Sequence, residues 1–371
     1  MAQTYFASIQ PGLEQALLTE VRRLGGKRAR VLTGGVEFDG ARKTLYAAAL
    51  GLRTATRIWQ RIDEFRSRDA PELYRKTRRI DWERLLPRRV AIDVRATSST
   101  SSLFHTDKIA ETVAAALEDR LEARRDLPGT ATQTLLVRLV DDRCQLSLDA
   151  GGPLSPRGWA LHRVEAPLRE SIAAALLELL NIDPALPLID PCCGSGTIIL
   201  EAATRTLGTL PRQLVDAPFY PLQEWNNFDP ALFEETRHRL EPQGTRTLPA
   251  ALHGRDINPE AIDAARHNTT TAGLGDHPGL TFTPAPLSEP LPPELAEAPF
   301  WIVTNPPYGA RMDNQGVLPD LLSLADTPHA RLAFLWARDG RDAVTRAAPH
   351  LTLVASFKNG GLPVDFWASP H

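Results

Sequence analysis

In the stretch VTNPPYGARMDN, residues 303–314, an amide, two prolines and an aromatic ring stand directly behind the apolar run Phe300 to Val303. The run suits a buried strand. Neither proline can donate to a sheet ladder, and each biases the residue before it away from helix, so the strand is expected to end at Asn305. The side chain of Asn305, the carbonyl of Pro306 and the ring of Tyr308 then meet at the strand's carboxyl end, and Pro307 stiffens the turn. This set can handle an amine. Its two carbonyl oxygens can accept the protons of an exocyclic NH₂ whose lone pair is delocalised into a base. They can bias it toward tetrahedral geometry and aim it at an electrophile. Tyr308 can stack on that base, which must be flipped out of its helix or loop to be reached.

A seat for the electrophile lies upstream. LIDPCCGSGTIILEAA (188–203) joins an apolar strand, an acid at its end, a Gly-X-Gly turn and an apolar helix. Glycines let backbone approach a ligand without a Cβ, and the helix start presents free N–H groups. The stretch is neither the GxGxxG dinucleotide fingerprint nor a lysine-bearing phosphate loop. With Asp190 it suits a ligand ending in an ammonium and a carboxylate, which the amino-acid tail of S-adenosylmethionine has. In LHGRDINPEAIDAARHN (252–268), Asp256 falls where a second strand gives way to a helix. A carboxylate there can accept both hydroxyls of a ribose. The competing role is helix capping, for which Asn258 is better placed. Ile257 can pack on an adenine face.

The elements that must hold these groups follow from periodicity. From residue 168 onward helices alternate with short apolar strands, the pattern of a parallel, doubly wound α/β sheet. The segment 207–250, with Pro211, Pro218, Pro221, Pro230 and Pro242, reads as an insertion with one short helix. Before residue 150 the chain reads as two small α+β units. The first runs strand, helix (12–25), then a hairpin turning at Gly34-Gly35. The second contains a strand over 90–97, a helix over 106–125 and two closing strands. GGPLSPRG (151–158) reads as the boundary.

Composition bounds the rest. The 371 residues exceed one typical domain, with 43% hydrophobic and 23% charged residues, as in an ordinary globular chain. No apolar stretch reaches the roughly 18–20 residues of a membrane span, and the N-terminus has no signal-peptide pattern. Three cysteines, two of them adjacent (Cys192, Cys193), offer neither a disulfide framework nor a zinc spacing, so no metal is expected and a reducing cytoplasm fits. Net charge is −3, but residues 1–168 hold 28 Lys and Arg against 21 Asp and Glu, and the remainder 14 against 24. A basic front on an acidic rear suggests a polyanion-binding module ahead of something else. The cluster Arg75–Arg89, with six arginines and Lys76, is the first candidate surface.

DPCCGSGT, GRDIN and NPPYG, in that order, resemble a class I S-adenosylmethionine-dependent methyltransferase acting on exocyclic amines. YFASIQPGLEQALLTEV, LTGGVEF, PRGWALHRVEAPLRESIAAALL and TNPPYGARM narrow the resemblance to the THUMP-containing bacterial RNA guanine-N2 methyltransferases. Those of large-subunit ribosomal RNA are most similar, and the tRNA enzymes of the same build come second. FKNGGLPVDFW resembles the family's C-terminal hairpin. The resemblance implies a ferredoxin-like piece over 1–44, a THUMP RNA-binding domain over 45–153 and a Rossmann-like catalytic domain over 160–371. It also implies that Asp190, Cys193, Gly194, Ser195, Gly196 and Thr197 line the methionine end of S-adenosylmethionine and that Asp256 takes the ribose. Asn305, Pro306, Pro307 and Tyr308 would form the base-amine site, with the N2 amine of a guanosine in 23S ribosomal RNA as acceptor. One departure is visible: the family usually offers an Asp toward the adenine amine where this chain has Pro286, leaving that contact to Ser288, to Glu289 or to no residue. The alternatives are a tRNA guanosine-N2 enzyme, a DNA or glutamine amine methyltransferase with the same NPPY chemistry, and a non-catalytic THUMP RNA-binding protein.

Overall fold

The structure is a computed structural model that describes residues 3–125, 127, 131–162, 168–216, 218–241, 247–275, 277–291, 297–308 and 316–370. Its first unit is β1 (Gln3–Ser8), α1 (Glu14–Arg23), β2 (Lys27–Leu32), β3 (Gly35–Gly40), α2 (Arg42–Gly51) and β4 (Arg57–Arg66). The βαββαβ order and the antiparallel sheet β2-β3-β1-β4 make it ferredoxin-like. The β2–β3 turn is Thr33-Gly34, one residue earlier than the glycine pair suggests. Gly34 takes the left-handed conformation (φ +79°), while Gly35 already pairs with Leu32 in the ladder.

The same sheet continues through α3 (Ala70–Arg79), β5 (Ile92–Ser99), α4 (Thr106–Leu121), β6 (Gln133–Val140) and β7 (Arg143–Asp149), in the order β2-β3-β1-β4-β7-β6-β5. Helix α4 stops four residues short of the expected 125, because Glu122 turns left-handed (φ +57°).

A second seven-stranded sheet holds the chemistry. It is built from α5 (Glu170–Leu180), β8 (Leu188–Asp190), α6 (Thr197–Thr206), α7 (Pro230–Leu240), β9 (Leu252–Asp256), α8 (Pro259–Thr271), β10 (Leu280–Pro284), β11 (Phe300–Thr304), α9 (Val317–Ala325), β12 (Ala330–Ala337), α10 (Arg341–Ala347), β13 (Thr352–Asn359) and β14 (Leu362–Ala368). The order is β10-β9-β8-β11-β12-β14-β13, with β8 to β12 parallel and β14 antiparallel to both its neighbours. From β8 the chain winds outward to β10, then returns to lay β11 on the other side of β8. That reversal is a topological switch point, where open α/β sheets bind ligands at the carboxyl ends of their strands. All five residues of β11 are buried, as a central parallel strand requires. Asp190 ends β8 and Asn305 follows β11, so the switch point sets them side by side.

Ion pairs fasten the two sheets together. Glu201 of α6 is fully buried between Arg53 Nη1 (2.6 Å) and Arg157 Nε (3.0 Å), and Arg157 also donates to the carbonyls of Arg53 and Leu154. Glu178 of α5 receives Arg23 of α1 at 2.9 Å and Arg205 of α6 at 2.8 Å. The expected insertion braces the front unit: α7 lies on α2, Tyr46 accepts from the Asp229 N–H, and Trp225 Nε1 donates to Gln133.

Candidate active site

Asp190 is buried at the end of β8, where its Oδ1 accepts from Thr304 Oγ1 (2.6 Å) and from the Cys192 N–H (3.1 Å). Burial pushes its carboxyl up to about 7, against these two hydrogen bonds, which favour the ionised form. The turn that follows is fastened to β9 and α8. The Cys193 N–H donates to the Arg255 carbonyl (2.8 Å), the Gly194 N–H to Asp256 Oδ2 (2.9 Å), and Asn268 Nδ2 to the Ser195 carbonyl (3.1 Å). Gly194 and Gly196 both have left-handed φ (+53° and +85°), which explains a glycine at each end of Ser195. Gly196 is also the N-cap of α6, which therefore starts at Thr197 without a side-chain cap. Its first N–H groups suit an anionic ligand group. Burial, with the charges of Asp190 and Asp256, keeps the Cys193 thiol protonated, so it is no nucleophile.

Asp256 and Asn258 divide the two roles open to them. Asn258 caps α8, accepting from the Glu260 N–H at 3.0 Å. Asp256 is nevertheless engaged, because Oδ2 takes the Gly194 N–H and Oδ1 the Asn258 N–H (2.9 Å). Each oxygen keeps acceptor capacity, enough for a vicinal diol. Beside it the Ile257 side chain is 73% exposed, an open apolar platform for a flat ring. Near Pro286, the buried Arg255 donates to the carbonyls of Pro286, Glu289 and Pro290, and its guanidinium stands 3.4 Å from the Glu289 carboxylate. Glu289 thus answers Arg255, and Ser288 lies exposed.

At the end of β11, Asn305 Oδ1 is shielded from solvent and has no hydrogen-bond partner among the described residues. A buried acceptor without a partner costs about 1–3 kcal/mol, so this oxygen has room for a donor that the described residues do not supply. Pro306 is buried, Pro307 half-buried, and the half-buried ring of Tyr308 packs against buried apolar side chains. The phenol oxygen of Tyr308 accepts from Asn359 Nδ2 at 2.9 Å. The rest of the NPPYGARMDN stretch, 309–314, lies outside the described residues.

The sequence-predicted residues therefore gather at the carboxyl ends of three adjacent strands, β9, β8 and β11. Thr304, Asn268 and Asn359 were not foreseen. Thr304 had a faint signal, being the one polar residue in FWIVT, whereas Asn359 reads from sequence only as a turn residue. Away from this site Arg75, Arg78, Arg79, Arg84 and Arg89 are all exposed, on α3 and the segment after it. Lys76 is held by Glu72 and Arg88 by Glu122. Among the described residues no helix is long and apolar enough to cross a membrane, and no group of three His, Cys, Asp or Glu could hold a metal ion.

Comparison with known proteins is consistent along the chain. Family models match as an RlmL ferredoxin-like domain over residues 4–59, a THUMP domain over 67–149 and an RMKL-like methyltransferase domain over 157–331. A Synechocystis protein provisionally named an RNA methyltransferase is 31% identical over 372 residues, spanning 97% of this chain and 94% of its own. A Listeria monocytogenes structure, titled by prediction an N6-adenine-specific DNA methylase, superposes with TM-score 0.84 at 26% identity over 100% of this chain and 97% of that one. A protein provisionally named a methyltransferase and solved with S-adenosylhomocysteine superposes with TM-score 0.81 at 26% identity, covering 99% of this chain and 98% of that one.

Proposed function

The chain belongs to the THUMP-containing, RMKL-like methyltransferase family, and from that premise we propose that it methylates the exocyclic N2 amine of a guanosine in structured RNA. Ribosomal 23S RNA is the first candidate substrate and tRNA the second, both encountered in the cytoplasm. The cofactor of this methyltransferase is S-adenosylmethionine, which supplies, when bound, an electrophilic methyl on a sulfonium.

The residues present fit that group. Asp190 would hold the ammonium, the N–H groups opening α6 at Thr197 the carboxylate, Asp256 the ribose hydroxyls and Ile257 the adenine. Gly194 to Gly196 let the backbone approach. The observation that carries the acceptor side is the shielded, unpartnered Oδ1 of Asn305. With the Pro306 carbonyl it would accept both N–H groups of the amine, turning the nitrogen lone pair out of conjugation and toward the methyl. So held by Asn305 and Pro306, the amine nitrogen would take the methyl that the bound cofactor supplies, with the neutral thioether as leaving group. The surplus proton would stay on the methylated nitrogen, hydrogen-bonded to Asn305, until water takes it. Tyr308 would stack on the flipped base. In this reading residues 1–153 grip the RNA and 160–371 carry out the transfer.

Incubation with total RNA and labelled cofactor, followed by nucleoside mass analysis, tests the reading. N2-methylguanosine in RNA is expected. No methyl in RNA, with methylated adenine formed in a parallel incubation with DNA, would replace it.

A further inference from the structure

We propose that Asn359, in the turn of the C-terminal hairpin, is a positioning residue that fixes Tyr308 and leaves the phenol proton for the incoming nucleotide. The proposal rests on the base-flipping reading above and assigns that site a residue from a distant element.

Strands β13 and β14 pair from Thr352 opposite Ala368 to Asn359 opposite Leu362, and Gly360 and Gly361 turn between them with φ +57° and +89°. Two left-handed glycines in a two-residue loop give a tight hairpin whose twist matches its strands. The hairpin is anchored at its middle. Asp365 is fully buried and accepts from Arg338 (3.3 Å), Arg341 (2.7 Å) and Ser356 (2.7 Å). It is also braced by the front unit, since a Cβ on Gly12 would collide with the Ser356 carbonyl. Asn359 is thus presented from a stiff support, and its Nδ2 reaches across to the phenol oxygen of Tyr308 at 2.9 Å.

The direction of that hydrogen bond matters. Asn359 donates and the phenol oxygen accepts, so the phenol's own proton stays uncommitted among the described residues. Tyr308 lies three residues past Asn305, in the chain that leaves β11. A ring held by its hydroxyl oxygen is hindered from swinging about its χ angles, and its remaining donor is left for an acceptor on the nucleotide. An asparagine kept only for the turn would need no such partner. Asn and Asp serve equally in that place.

This gives the test. Asn359→Asp keeps the turn chemistry but replaces the donor with an acceptor, which would capture the phenol proton. Asn359→Ala removes the contact, and Tyr308→Phe removes the phenol. Transfer to RNA is measured for the wild type, these three variants and the Asn359→Ala/Tyr308→Phe double variant, with cofactor affinity and urea stability alongside. Each single variant is expected to lose about 5–30-fold in kcat, the size of one hydrogen bond of about 1–2 kcal/mol. Cofactor affinity should hold, and the double variant should be no slower than Tyr308→Phe alone. An Asn359→Asp enzyme as fast as wild type, or losses that multiply in the double variant, would overturn the proposal. A wild type that transfers no methyl to RNA would instead refute the reading of function on which it rests.

Discussion

Removing Glu201 should cost more stability than any single hydrophobic truncation at the surface, and the structure shows how much. Its carboxylate is fully buried between two arginines whose side chains are 9% and 1% exposed, Arg53 and Arg157. In Glu201→Ala both guanidiniums keep their charge and lose their counterion in a dry interface. Breaking a buried pair in this way costs about 3–5 kcal/mol. With a urea slope of about 2 kcal/mol/M, the unfolding midpoint should fall by roughly 1.5–2.5 M. Burial alone would raise the Glu201 pKa, but the charges of Arg157 and Arg53 outweigh it and hold the carboxyl below its usual range. A depressed carboxyl stabilises the fold above its unfolded value, near 4.3, and loses that contribution as pH falls through the lower folded value. The gap between wild type and Glu201→Gln should therefore stay constant from pH 7 to 5 and close only below about 4. A midpoint shift under about 0.5 M, or a gap that shrinks between pH 7 and 5, would refute the claim that this clamp joins the two sheets.

The remaining predictions concern the two binding surfaces. Asp256→Ala should weaken S-adenosylmethionine by about 1.5–3 kcal/mol in titration calorimetry, whereas unchanged affinity would leave Asp256 only its loop-closing bonds to Gly194 and Asn258. Asp190 must ionise to hold the cofactor's ammonium, and its carboxyl lies raised at about 7 in the free protein. Affinity should thus fall up to tenfold per unit as pH drops from 7 to 5.5, and a flat profile would remove Asp190 from that role. For the free protein the sign is opposite: a raised carboxyl stabilises the fold most below about 4, and that contribution disappears as pH rises toward 7. Reversing Arg78 and Arg79 to Glu should weaken RNA binding across sequences and flatten its salt dependence while sparing cofactor affinity. Unchanged RNA binding would move the interface elsewhere.

The catalytic sheet was legible because its signals are local. An apolar run closed by Asn-Pro-Pro and a Gly-X-Gly turn after LID each declare a strand end, and parallel alternation places such ends on one edge. Asp256 shows where that reasoning stops. Giving the cap to Asn258 was right, but the two N–H groups that Asp256 takes depend on Gly194 arriving from β8, a contact spanning 62 residues. Asn359 is a sharper case. Its KNGG setting announces a turn, and only the folding of β14 beside β12 carries that turn to Tyr308. In the same way a glutamate in the helical run TIILEAATRT looks like a surface residue until α6 is pressed against Arg53.

The proposed transfer turns on Asn305 receiving the amine that is methylated. The direct measurement is formation of N2-methylguanosine in ribosomal RNA by Asn305→Ala beside wild type, with S-adenosylmethionine affinity recorded for both. A loss on the order of 10²–10³ in rate at nearly unchanged cofactor affinity is expected, the usual consequence of deleting one preorganised partner at the reacting group. Transfer within a few-fold of wild type, or a methyl found on an atom other than a base amine, would contradict it.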